Sequence, residues 1–312
     1  MKLTQRVNQL CRTLGRGYAV CAALILAVML PVKASGDEPH AHRHTHEHSH
    51  AHPSDMSDKP FASSLTRKLS IGVAVGYERF DTNFKFVDRS SGLSAFIDAE
   101  GTLGLPENQS IPILYGYYRA AKRHGIGYSF FRVNRSSTLL AFDENLGDLN
   151  VSGRVTLADV SRFYNLTYNF TVYEDDRAFV FASFGLQGID LKYRFRAEGE
   201  VSFAGVSIVG DEFVREVNKF APLPLVGVDA WFALTPRLSI GSRVALIAGS
   251  NKDISGGVLD ARIRARFAIN KNLALFGGIN VFQSDLEIKS DKYKTEVRYG
   301  FGGVFLGLDV GF

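Results

Sequence analysis

The sequence predicts an all-β protein: an antiparallel, transmembrane up-and-down β-barrel of about ten strands, with eight or twelve also compatible. Three observations predict it. First, Val304, Leu306, Leu308, Val310 and Phe312 are apolar at every second position, with Gly307, Asp309 and Gly311 between them. A period of two puts alternate side chains on opposite faces of a strand, so one face here is continuously apolar and the other small or charged. Second, short turns alternate with longer connections along the chain, the arrangement of barrels that cross a bilayer. Third, the chain is rich in Gly (30), Phe (24) and Tyr (12). After the N-terminal thirty-odd residues it has no apolar run of the ~20 residues a helix span needs. A protein that crosses lipid without such helices must close its sheet, because every backbone donor and acceptor has to be paired.

Residues 1–34 read as a signal peptide. Lys2, Arg6, Arg12 and Arg16 form a basic region, Ala19 to Leu30 an apolar core, and Val32-Lys33-Ala34 the small residues of a cleavage site. Both cysteines, Cys11 and Cys21, fall inside it, so the mature chain carries no disulfide framework and no thiol chemistry. The five basic residues Lys2, Arg6, Arg12, Arg16 and Lys33 also leave with it. Taking them from the formal charge of +4 leaves −1, and the basic balance gives no argument for a nucleic-acid partner.

Residues 35–66 form a separate segment. His40, His42, His44, His46, His48, His50 and His52 alternate with Ala, Arg, Thr, Glu and Ser, and Pro39, Pro53 and Pro60 surround them. With no apolar period, the stretch is expected to be disordered. The barrel then occupies 67–312. Its strands are expected near 69–80, 110–120, 125–135, 155–173, 177–196, 222–234, 238–249, 257–269, 273–287 and from about 295 to 312. The turns at 122–125, 174–176, 235–237 and 270–272 are short, whereas the links at 81–109, 136–154 and 197–221 are long. Pro112, Pro222 and Pro224 are placed at strand ends, where a missing ladder donor costs least.

The row Val304, Leu306, Leu308, Val310, Phe312 resembles the C-terminal strand of Gram-negative outer-membrane β-barrels. Asp98-Ala99-Glu100-Gly101-Thr102-Leu103-Gly104-Leu105, followed by a Tyr-rich strand, is similar to a group of uncharacterised proteobacterial barrels. The resemblance implies the fold, residence in the outer membrane with its lipid, and recognition of the terminal aromatic row by the barrel-assembly machinery. It implies no activity.

Within the barrel, Asp260, Arg262, Arg264 and Arg266 alternate with Leu259, Ala261, Ile263, Ala265 and Phe267. An arginine facing lipid near the bilayer centre costs about 2–4 kcal/mol, so the charged row is expected to face the lumen. Asp229 and Trp231, and Arg243, are assigned inward on the same logic, with Glu78 and Arg119 as further candidates. Such charges either pair and fill a narrow interior or line a path for anionic solutes.

The histidine tract carries the other candidate chemistry. Imidazole binds zinc, copper and nickel, and an extended chain puts residues i and i+2 on one side. No cofactor is required, but divalent Zn, Cu or Ni is the expected ligand of His40 to His52. Catalysis is not expected, since the only histidine outside the tract, His124, falls in a short turn without a Ser or Asp partner. The leading expectation is an outer-membrane barrel with a periplasmic metal-binding tail, serving metal homeostasis or envelope integrity. The alternatives are a narrow porin for small solutes and a loop-based adhesin.

Overall fold

The computed structural model describes residues 67–88, 94–146, 149–175, 177–203, 206–208, 213–250, 254–289 and 293–312. All of them lie in one compact unit of the chain, 55–312. The leader and the histidine tract fall outside the described residues. The strands are β1 (Leu69–Asp88), β2 (Ser94–Asp98), β3 (Asn108–Ala121), β4 (His124–Leu146), β5 (Leu149–Glu174) and β6 (Ala178–Phe203). They continue with β7 (Val206–Ile208), β8 (Phe213–Ala233), β9 (Leu238–Ser250), β10 (Ile254–Ala268), β11 (Leu273–Lys289) and β12 (Tyr293–Gly311).

Ten of these, all but β2 and β7, form a closed antiparallel barrel in which each strand pairs with the next. Closure is made by β12 against β1, in register from Ser70 opposite Gly311 to Asp88 opposite Tyr293. No edge is left along that seam, which is the requirement for a sheet in lipid. The short strands β2 and β7 add to the barrel wall at one end, on β1 and β6.

Alternation explains the outer surface. Val73 on β1, Leu246 on β9 and Leu306 on β12 are each more than half exposed, with Leu166 and Leu186 beside them on β5 and β6. This apolar band spans about nine residues per strand from the short-turn end, the length that crosses a bilayer when strands tilt. Beyond it the outward positions become polar, with Arg132 and Asn134 on β4 and Arg162 on β5.

The strands do not stop where the apolar band stops. The expected long links at 136–154 and 197–221 are mostly strand: β4 and β5 stay paired up to Leu146 opposite Leu149, and β6 and β8 up to Ala197 opposite Phe213. In the link expected at 81–109, β1 continues to Asp88 and β2 pairs with its upper half. Above the band the outward residues meet water, so the hydrophobic period fades while the hydrogen-bond ladder continues. The prolines are corrected by the same extension, since none of them ends a strand. Pro112 sits inside β3 just before pairing with β4 begins at Ile113. Pro222 and Pro224 sit inside β8, beside β6, before pairing with β9 begins at Leu225. Each therefore stands where its strand has a neighbour on one side only, and a missing N–H removes no bond from the other side.

The interior is packed in tiers. At the short-turn end Phe179, Phe181, Trp231 and Ala233 cluster with Tyr117. The middle tier is ionic. Above it lies an aromatic core in which Phe131 stacks on Phe163 at 4.5 Å and Phe282 on Phe301 at 4.8 Å between ring centroids. Phe163 also meets Phe282 edge-on at 5.4 Å, so these rings bridge the barrel from β5 to β11.

Candidate functional site

The ionic tier is set by register. Glu78 on β1, Gly303 on β12, Asn280 on β11, Arg262 on β10, Arg243 on β9 and Asp229 on β8 are successive cross-strand partners in one row. Parity turns them all inward, because their chain neighbours are on the apolar outer face. Gly303 is required in this row: a Cβ there would lie 2.0 Å from the Tyr77 carbonyl oxygen and 2.8 Å from Glu78 Oε2.

Asp229 accepts from Arg264 Nη2 at 2.8 Å and from Arg243 Nη1 at 3.4 Å. Asp260 takes a two-pronged bond from Arg262, at 3.0 Å from Nε and 2.7 Å from Nη2. Asp309 takes another from Arg266, at 3.0 and 2.9 Å. Such forked pairs are the strong form of the arginine–carboxylate bond. The Arg264 guanidinium also lies 4.3 Å over the Trp231 ring, a cation–π contact of the desolvated kind. Trp231 in turn lies over Gly241, where a Cβ would come within 2.6 Å of the ring. Glu78, almost fully buried, accepts from Asn280 Nδ2 at 3.2 Å.

A cavity of about 200 Å³ lies among these residues, walled by Tyr115, Trp231, Phe276 and Phe305 and roofed by Phe131, Phe282 and Phe301. The structure thus brings the sequence candidates Asp229, Arg243, Asp260, Arg262, Arg264, Arg266 and Glu78 together and adds Asn280 and Asp309 at the same lining. Four guanidinium groups (Arg243, Arg262, Arg264, Arg266) face four carboxylates (Glu78, Asp229, Asp260, Asp309), so the lining is balanced rather than cationic.

Two further residues named from the sequence, the lumen candidate Arg119 and the turn residue His124, lie elsewhere. Arg119 is not part of the ionic tier; it pairs with Glu174 at 3.1 Å at the short-turn end and lies 5.7 Å from the Phe179 ring. His124 starts β4 on the exposed face, its Nδ1 2.5 Å from the Tyr168 hydroxyl. On β12, Val304, Leu306, Leu308 and Val310 lie exposed on the outer face, and Phe312, just past its end, is exposed as well. His40 to His52 are outside the described residues, and among the described ones no group of three or more His, Cys, Asp or Glu is placed to hold a metal.

A second ionic cluster, in the upper tier, is absent from the sequence reading. Arg135 on β4 donates from Nη2 to Asp159 on β5 at 2.9 Å and to the Thr82 hydroxyl at 2.9 Å, and from Nη1 to Glu100. Glu100 also accepts from the Thr82 N–H at 2.7 Å, which ties the connection after β2 to the barrel wall. The guanidinium lies 4.1 Å over the Phe80 ring. Burial pulls Arg135 down, but Tyr299, Asp159 and Glu100 outweigh it and hold its pKa above the ordinary arginine range. Burial, with Asp159 beside it, pushes the Tyr299 phenol far above its ordinary range.

No family model matches this sequence, and no curated protein matches it. Among solved structures, the chain is similar to the outer membrane protease OmpT from Escherichia coli, with a TM-score of 0.53 and 12% identity over 78% of this chain and 96% of that one. The fold is that of an outer-membrane β-barrel. Further matches are the toluene transporter TodX from Pseudomonas putida (TM-score 0.35, 8% identity, 82% of this chain and 93% of that one) and the translocator domain of the autotransporter NalP from Neisseria meningitidis (0.39, 11%, 76% and 88%).

Proposed function

We propose that this protein is an outer-membrane β-barrel with a closed lumen, which holds a His-rich, metal-binding segment at the periplasmic face. The observation that carries the closed lumen is the upper tier. There the Phe131, Phe163, Phe282 and Phe301 rings and the Arg135 cluster fill the barrel above the cavity, and Phe163, Val133 and Ile189 are 1% exposed or less. Interiors packed to this degree leave no continuous path for a solute. The apolar outer band favours lipid on all sides, and β1 and β12 bring both ends of the barrel strands to the short-turn end, which we assign to the periplasm.

The metal-binding role rests on the sequence, with seven histidines from His40 to His52. A flexible tract gathers imidazoles around one ion but does not impose a geometry, so zinc, copper and nickel all bind, copper tightest. Barrel-assembly machinery and membrane lipid are the further partners of this reading. Catalysis has no place in it: His124 is engaged with Tyr168 on the outer surface, away from the lumen acids. A narrow porin for small solutes is the second reading, favoured by the polar cavity within the barrel.

Planar-bilayer recording with the refolded full-length protein tests the closed lumen. The proposal expects no discrete conductance steps, and such steps establish the porin instead. Calorimetric titration of zinc into the full-length protein and a variant lacking 40–52 tests the tail. Binding needs deprotonated imidazole, so affinity falls from about pH 7 to 5. Equal zinc binding by both proteins removes the tract from the function.

A further inference from the structure

The balanced ionic tier leaves specific atoms unmatched. Glu78 Oε1, Asn280 Oδ1, Arg243 Nε and Nη2, and Arg264 Nε are shielded from solvent, and none of them has a hydrogen-bond partner among the described residues. All four residues line the same cavity, and Glu78 itself is 1% exposed. Buried polar atoms in native proteins are nearly always satisfied, and each one left alone costs about 1–3 kcal/mol. Unmatched acceptors and donors on residues that line one space of about 200 Å³ describe a ligand with both kinds of group.

We propose that this cavity is a binding site for a small zwitterion, a molecule the size of an α-amino acid. Its carboxylate is held by Arg243 and Arg264, and its ammonium by Glu78 and Asn280. The charge balance selects this chemistry. A simple anion meets the arginines but is repelled by Glu78, and a simple cation meets the opposite mismatch. A neutral polyol has donors and acceptors but forgoes the charge-assisted bonds that guanidinium and carboxylate offer, which are about twice as strong as neutral ones. Guanidinium and carboxyl groups side by side at one lining match a ligand that carries both signs. Tyr115, Trp231 and Phe276 supply a wall for an apolar side chain. The lining extends down to Ser70 and Asp309, residues near the ends of β1 and β12. The site does not depend on the histidine tract, and it stands whether or not the upper tier conducts.

Trp231 is the only tryptophan of the chain and lies at this cavity under Arg264, so its emission reports occupancy directly. The full-length protein, refolded in detergent, is titrated with L-alanine and L-leucine, and separately with sodium acetate, methylammonium chloride and glucose. A saturable change with the amino acids is expected, with acetate and methylammonium needing at least about tenfold higher concentration. Glu78→Gln, checked for the folded form by its migration on unheated gels, weakens leucine binding about tenfold, whereas Ile263→Val on the outer face leaves it unchanged. Should Glu78→Gln not fold, Asn280→Leu serves in its place with the same expectation. Any of four results overturns the proposal: no saturation with either amino acid, acetate binding as tightly as leucine, glucose saturating where amino acids do not, or leucine binding indifferent to the variant.

Discussion

Arg135 and Asp159 meet at 2.9 Å across the β4–β5 pair with neither side chain exposed to solvent. A charge pair removed this completely from water is held by what surrounds it: Ser161 donates to the other Asp159 oxygen at 2.6 Å, and Glu100 and Thr82 take the remaining Arg135 donors. Breaking such a pair from one side costs far more than the pair itself contributes, because the survivor is stranded. Arg135→Met, which leaves both Asp159 and Glu100 without a cation, is therefore expected to lower barrel stability by about 3–5 kcal/mol, read as a shift of the urea midpoint in micelles. Replacing the three charges together, Arg135→Met with Asp159→Leu and Glu100→Leu, recovers most of that loss. Equal cost for the single and the triple variant would show that geometry, and not stranded charge, sets the penalty.

Tyr299 gives the same tier a pH dependence. Its phenol is held far above the ordinary range, first by burial and then by Asp159, so the folded protein keeps it neutral when the unfolded chain ionises. A folded pKa raised above the unfolded value contributes stability that is complete below about pH 10 and is lost as pH rises beyond it. Wild type should thus lose stability steeply between about pH 10 and 12, and Tyr299→Phe should lose less over that interval. Tyrosinate absorbance at the same pH values follows the ionisation itself. Parallel alkaline losses in the two proteins would exclude Tyr299 as the source.

The contrast between the two ionic tiers shows what a single sequence carries. Asp260, Arg262, Arg264 and Arg266 are legible because the opposite face of β10 is apolar, and lipid enforces that alternation residue by residue. The ten barrel strands are legible for the same reason. Above the apolar band the outer face is polar on β4, β5 and β6, the alternation weakens, and the strands extend well past the point where their pattern fades. Arg135, Asp159 and Glu100 belong to that stretch. Parity gives the face a residue occupies, but the partners it meets there depend on register across strands 24 and 35 residues apart. Asp309 and Asn280 were hidden likewise: each sits at an inward position, and only register brings them to Arg266 and Glu78.

Trp231 and Gly241 face each other directly across β8 and β9. A methyl group at 241 comes within 2.6 Å of the indole, and the ring cannot recede without leaving Arg264. Gly241→Ala is expected to shift the Trp231 emission and to lower stability by about 1–3 kcal/mol, the ordinary cost of overpacking. Arg264→Gln shifts the emission too, by removing the cation from above the ring. An unchanged spectrum in Gly241→Ala would mean that the barrel wall yields there and the stack does not.

Ile263 and Arg264 are adjacent on β10, yet one meets the outer surface and the other the ionic tier. Ile263 is 36% exposed among outward neighbours, near the middle of the apolar band, while Arg264 bonds Asp229 and covers Trp231. If lipid surrounds the barrel, Ile263→Arg brings a guanidinium into hydrocarbon close to the bilayer centre, at about 2–4 kcal/mol. Arg264→Gln keeps a donor beside Asp229 and leaves Arg243 as its counter-ion at 3.4 Å, so the carboxylate is not stranded and the loss is smaller. Measured by urea unfolding in lipid vesicles, the outward variant should be the weaker of the two. In short-chain detergent, where the charge reaches water more easily, its penalty should shrink while that of Arg264→Gln stays constant. A penalty for Ile263→Arg that is the same in both media would place that face against protein or water and not against a bilayer.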